Sequence, residues 1–132
     1  MLEWRGDEVL TNLEKAAVKG LEKTAADCVK TAKGKLKYGR GLRTATLQGS
    51  IQMRAVERRG KVFSIVWGSY GVAYAIFVEL GTAAHWIGSA VKMAGIGWRY
   101  IGQHPGTRPI PYLRPAADRH YGELTENIRR YL

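Results

Sequence analysis

His85, His104 and His120, the lone Cys28, and the serines Ser50, Ser64, Ser69 and Ser89 are the side chains of this chain best suited to chemistry. Zinc asks for three or four nitrogen, sulfur or carboxylate ligands, commonly at short paired spacings. No histidine here stands four residues from another or beside a pair of cysteines, so the spacing predicts no metal site. An acyl-transfer serine needs the tight Gly-x-Ser-x-Gly turn that exposes its oxygen, and none of the four has it. Gly95-Ile96-Gly97 is followed by no glycine at the dinucleotide-binding spacing, and no Gly-Lys-Ser/Thr phosphate loop occurs. A single cysteine can form no disulfide within the chain. Cys28 falls at an apolar helical position, where a free thiol behaves as a small hydrophobe. These residues predict no catalytic group, no metal and no cofactor, and so a protein that is not an enzyme.

Glu79 and Arg114 are charged residues set in otherwise apolar stretches. Glu79 could accept backbone N–H groups at the turn through Gly81 and Thr82, and Arg114 could lay its stem over the apolar surface of the last helix. Alternatively the two form an ion pair, within one subunit or between neighbours. Pro105, Pro109 and Pro111 stiffen residues 104–113 and reduce the entropy lost on ordering them. Tyr112 and Leu113 are thereby presented as fixed apolar groups. They can close the core over the last helix, the loop can form a docking edge, or both.

The elements that must position these residues follow from periodicity. Leu10, Leu13, Ala17, Leu21, Thr24 and Cys28 recur at intervals of three and four, the stripe of an amphipathic helix over residues 7–33. Asp7 and Glu8 stand at its start and Lys33, Lys35 and Lys37 at its end, as the helix dipole favours, with Gly34 or Gly39 as the stop. From residue 44 to 67 the period becomes two. Residues 50–55 and 62–67 read as a hairpin turning near Gly60. Val72, Ala73, Ile76, Phe77 and Leu80 predict a short helix ended by Gly81. Residues 86–91 and 96–101 are candidate strands. Pro115 suits a first helical turn, and Ala117, Tyr121, Leu124, Ile128 and Tyr131 continue that helix over 115–130.

A chain of 132 residues is one domain by length. Twenty-one Lys and Arg against 11 Asp and Glu give a net charge of +10, which favours an anionic partner, either nucleic acid or an acidic protein surface. Lys30, Lys33, Lys35, Lys37, Arg40 and Arg43 are concentrated in one glycine-punctuated stretch without an acid. That stretch is either a solvated loop or a basic arm touching DNA phosphates or an acidic partner. Residues 69–91 are largely apolar but hold Glu79 and His85, which opposes a membrane span. Residues 1–4 lack the basic start and apolar core of a secretory signal, so the expected location is the cytoplasm.

Two segments carry a further message. Tyr74-Ala75-Ile76-Phe77-Val78-Glu79-Leu80-Gly81-Thr82 and His104-Pro105-Gly106-Thr107-Arg108-Pro109-Ile110-Pro111-Tyr112-Leu113-Arg114-Pro115-Ala116-Ala117 resemble the paired Tyr-Ala-x-x-Val-Glu-x-Gly-Thr and Pro-aromatic-Leu-x-Pro-Ala runs of the tail-completion, or head–tail joining (neck), proteins of long-tailed bacteriophages. The likeness covers roughly the chain from Leu42 onward. It implies a structural virion protein, made in the host cytoplasm and placed at the neck or proximal tail end. Such a protein forms a sixfold ring that meets the capsid connector or adaptor and the tail terminator or tail tube, with DNA passing through its bore. Tyr74, Glu79, Gly81, Thr82, Pro109, Tyr112, Leu113, Arg114 and Pro115 become the motif and interface candidates. The expected fold is α+β: a long N-terminal helix and a C-terminal helix packed on a mainly antiparallel sheet of three to five strands. A small basic nucleic-acid-binding module is the rival reading, supported by the charge and by seven tyrosines able to stack on bases.

Overall fold

A computed structural model describes residues 3, 5–36, 42–86, 90–93, 97–100 and 102–132. They form two compact units, one of Met1–Val72 with Tyr112–Leu132, the other of Ala73–Pro111. The class is α+β, with the long N-terminal helix, the C-terminal helical segment and antiparallel strand pairing that the sequence predicts. The strands pair in twos. No described helix is long and apolar enough to cross a membrane.

In the first unit, helix α1 spans Gly6–Lys35, with Asp7 and Glu8 in its first turn and Lys33 and Lys35 in its last. Its buried residues are small: Ala16, Gly20, Thr24, Ala25, Cys28 and Ala32. Leu10 and Leu13, expected in the stripe, are 59% and 45% exposed. The reason lies in what covers the helix. Partners begin around Ala16, so the first turns project past them.

Those partners come from the C-terminus. Helix α4 spans Leu113–His120 and helix α5 spans Leu124–Arg130, separated by a 3₁₀ turn at Tyr121–Glu123. The single helix expected over 115–130 is therefore broken. Its buried face is Ala116, His120 and Asn127, while Tyr121 is exposed. The break lets both short helices lie along α1. Ile128 crosses at Gly20, where an added Cβ would sit 2.9 Å from the Ile128 Cα and N. Beside it the Asn127 amide donates to Thr24 Oγ1 at 3.0 Å, and that hydroxyl donates to the Gly20 carbonyl at 2.8 Å. All three residues are buried and satisfied, which fixes how α5 sits on α1.

Leu42–Ser50 is a helix, α2, where the sequence suggested extended chain from residue 44. Leu47 and Ile51, four apart, are both nearly fully buried. Leu47 is buried from within the helix, and Ile51 opens the strand that follows it. The Gln48 amide donates to the Lys33 carbonyl at 2.9 Å, tying α2 to the end of α1. Then comes the expected hairpin. Strand β1 (Ile51–Met53) pairs with β4 (Trp67–Ser69), and β2 (Glu57–Arg59) with β3 (Val62–Ser64). The register shifts by one residue between the two ladders, so Ala55 and Val56 oppose Ile65 as a bulge. Gly60, at φ 62°, makes the turn. Tyr112, just before α4, is fully buried, and its hydroxyl lies 2.8 Å from Ser69 Oγ.

The second unit holds helix α3 (Ala75–Leu80) and four strands: β5 (His85–Trp86), β6 (Ala90–Met93), β7 (Gly97–Tyr100) and β8 (Gln103–His104). The short helix and its end at Gly81 are as the spacing predicts, and α3 begins at Ala75. Ladder β5–β8 and ladder β6–β7 are antiparallel and successive along the same two chain segments.

Candidate functional site

Tyr74–Thr82 and the proline loop as far as Ile110 meet inside the second unit. Helix α3 starts with Tyr74, whose carbonyl receives the Phe77 and Val78 amides, and it stops at Gly81, whose amide reaches the Phe77 carbonyl at 2.8 Å. Gly81 has φ 71° and Gly106 has φ 82°, left-handed values that glycine adopts freely. A Cβ on Gly81 would lie 2.6 Å from the Thr107 carbonyl oxygen and 2.8 Å from the Pro109 nitrogen. The backbones approach this closely because neither glycine has a side chain.

Thr82 and Thr107 exchange backbone hydrogen bonds, each 3.1 Å, and their hydroxyls lie 3.0 Å apart. The Thr107 amide also reaches Thr82 Oγ1 at 3.0 Å. The Ile110 amide donates to the Val78 carbonyl at 2.7 Å. Pairing continues outward in the same register, His85 opposite His104 and Trp86 opposite Gln103. The Glu-x-Gly-Thr turn and the proline loop are thus one clasp at the base of an extended hairpin.

The clasp holds α3 with an apolar surface uncovered. No residue of α3 is buried, and Ile76, Phe77 and Leu80 are 57%, 55% and 67% exposed. Trp86 on β5 is 63% exposed. Of the other motif residues, Tyr112 belongs to the core of the first unit, which resolves its role toward closing the core. Leu113, Arg114 and Pro115 form the first turn of α4, and Glu79 lies on α3. In the basic stretch, Lys30, Lys33 and Lys35 end α1 and Arg43 is on α2, while Lys37 and Arg40 lie outside the described residues.

Sequence reasoning missed one polar cluster. Ligand atoms of Asp27, His120 and Glu123 all lie within 4.8 Å of one another. His120 is nearly buried, with Nε2 2.6 Å from Thr31 Oγ1 and Nδ1 3.1 Å from Glu123 Oε2. Lys23 Nζ lies 2.7 and 2.9 Å from the two Asp27 oxygens. These are groups able to hold a divalent cation, but each already has a protein partner, and a cation would compete with Lys23. The signal was the His-x-x-Glu spacing, which puts both side chains on one helical side; Asp27 comes from a distant part of the chain.

Next to this cluster the Cys28 thiol points at the Ala116 carbonyl, 3.8 Å away. Burial, and then the Asp27 and Glu123 carboxylates, push it up from about 9 to about 11. The folded chain keeps this proton at pH values where the unfolded chain has lost it. The thiol's contribution to stability is therefore constant below about pH 9 and falls by up to about 1.4 kcal/mol per pH unit until the folded thiol ionises. Cys28→Ala should remove that slope. Urea midpoints of both proteins at pH 8, 9 and 10 measure it, and equal slopes would be the contrary result.

No family model, no curated protein and no solved structure matches this chain.

Proposed function

We propose that the chain is a structural subunit of the neck or proximal tail end of a long-tailed phage. It forms a sixfold ring between the capsid connector and the tail and lets DNA pass. Two things support this reading. The Tyr74–Thr82 and His104–Ala117 segments resemble those of tail-completion proteins, and residues 78–82 interlock with residues 106–110 as one clasp. The observation that carries it is the apolar surface that this clasp presents, Ile76, Phe77, Leu80 and Trp86, each more than half exposed. Uncovered apolar side chains at helical spacing, as Ile76, Phe77 and Leu80 are on α3, mark protein–protein contacts. A patch on one subunit that meets a different surface on the next closes a ring when the rotation permits.

The test is assembly. Mass photometry and negative-stain images of the purified protein, alone and mixed with connector and tail-tube proteins of its virion, should show rings. Phe77→Asp with Leu80→Asp should abolish them without changing the melting of the first unit, since both side chains are already exposed. A persistent monomer in every mixture would overturn the reading.

A further inference from the structure

We infer that a basic cleft between the C-terminal half of α1 and the end of α4 seats the phosphate backbone of double-stranded DNA. The cleft encloses about 620 Å³. Lys30, Thr31, Gly34 and Lys35 line it from α1, and Arg119 and His120 from α4. Lys30, Lys35 and Arg119 are exposed, and none forms an ion pair among the described residues. The acid on the wall, Asp27, is already neutralised by Lys23 at 2.7 Å. Three cations therefore line one concavity, and the two carboxylates beside it, Asp27 and Glu123, are engaged by Lys23 and His120 instead.

The shape and the lining favour a phosphodiester ridge over an acidic protein surface. Each phosphate offers two free oxygens, which an Arg fork and a Lys point charge can share. Successive phosphates along a strand can meet Lys30, Lys35 and Arg119 in turn. A carboxylate side chain reaches one cation and leaves the concavity unfilled. Among the described residues no Tyr, Trp or Phe lines the cleft, which favours contact with the backbone, independent of sequence. Gly34 keeps the wall open, because a Cβ there would meet nothing within 4 Å. The net charge of +10 adds long-range attraction. Arg119 joins the lysines only through the fold, far from them in sequence.

This inference stands apart from ring assembly, which is scored without DNA. Fluorescence anisotropy of a labelled duplex is titrated with the full chain across a series of NaCl concentrations. Two variants carry the same loss of charge: K30Q/K35Q/R119Q in the cleft, and K15Q/K61Q/R130Q at exposed sites outside it. Each phosphate contact contributes about 0.9 to the slope of log affinity against log salt. The cleft variant should lose more than about 2 from that slope and weaken binding at least tenfold at low salt, by roughly 0.9 per cation removed. The control should lose far less. The single variant K30Q should show about a third of the cleft loss, and it keeps the test sound if the triple variant melts early. Equal losses in both triple variants, or no binding by the wild type, would overturn the inference. So would displacement of the duplex by poly-glutamate at matched charge, which would assign the cleft to an acidic protein.

Discussion

Gly20→Ala should destabilise the first unit by about 1–3 kcal/mol, the usual range for forcing extra atoms into a filled core, whereas Gly34→Ala in the same helix should stabilise it by about 0.5–1 kcal/mol. The two substitutions are chemically identical. Alanine is the better helix former, so replacing an exposed helical glycine is favourable, and a Cβ at Gly34 would meet nothing within 4 Å. At Gly20 the same methyl would press on Ile128 Cγ1 and lie 2.9 Å from the backbone Cα and N of Ile128. Trimming the Ile128 side chain removes the Cγ1 contact but not the two backbone ones, and it also forfeits the packing that Ile128 supplies. The double variant Gly20→Ala/Ile128→Ala should accordingly be no more stable than Gly20→Ala. Urea midpoints at neutral pH, followed by far-ultraviolet circular dichroism, give all four values. Rescue in the double variant would mean that α5 is free to shift on α1.

That contact also shows where the sequence was legible and where it was not. Helix α1 announced itself through period, end charges and length. Which side of it is buried was harder. The apolar stripe from Leu10 to Cys28 pointed correctly at Thr24 and Cys28, yet its first leucines face solvent. The truer signal was a small residue at every fourth position: Ala16, Gly20, Thr24, Cys28 and Ala32. Small residues permit close helix contact, and close contact leaves no room for leucine, so hydrophobicity alone ranks these positions too low. The same bias placed Tyr121 on the buried face of the last segment and passed over His120 and Asn127. Those two polar residues are buried because Thr31, Glu123 and Thr24 supply their hydrogen bonds, and such partners cannot be read from local sequence. The α2 helix failed for a related reason. Its extended reading rested on local alternation, and the burial of Leu47 with the tie from Gln48 to the end of α1 overrode it. The motif clasp was half legible: both segments stood out, but nothing in their spacing said that Thr82 and Thr107 would pair.

The clasp gives the second large expectation. Gly106→Val should open it, raising amide exchange at Thr82, Thr107 and Ile110 by at least tenfold and abolishing ring assembly, with α1 amides unchanged. Two penalties combine at this residue. A β-branched side chain at φ 82° costs about 1–2 kcal/mol through its backbone conformation. Its Cβ would also press on the Thr82 carbonyl oxygen and come within 2.8 Å of the Ala83 carbonyl carbon, which adds about 1–3 kcal/mol of crowding. The chain can relieve both only by parting the Thr82–Thr107 bridge. Once parted, the Ile110 amide has no fixed geometry toward the Val78 carbonyl, and α3 loses the brace that holds Ile76, Phe77 and Leu80 in a common surface. Thr82→Val is the informative contrast, since it deletes the hydroxyl pair while leaving both backbone hydrogen bonds. It should weaken the clasp by only about 1 kcal/mol and leave assembly intact. If Gly106→Val assembles as well as the wild type, the contacts between subunits do not depend on the clasp, and the apolar surface of α3 must be held in place by something else.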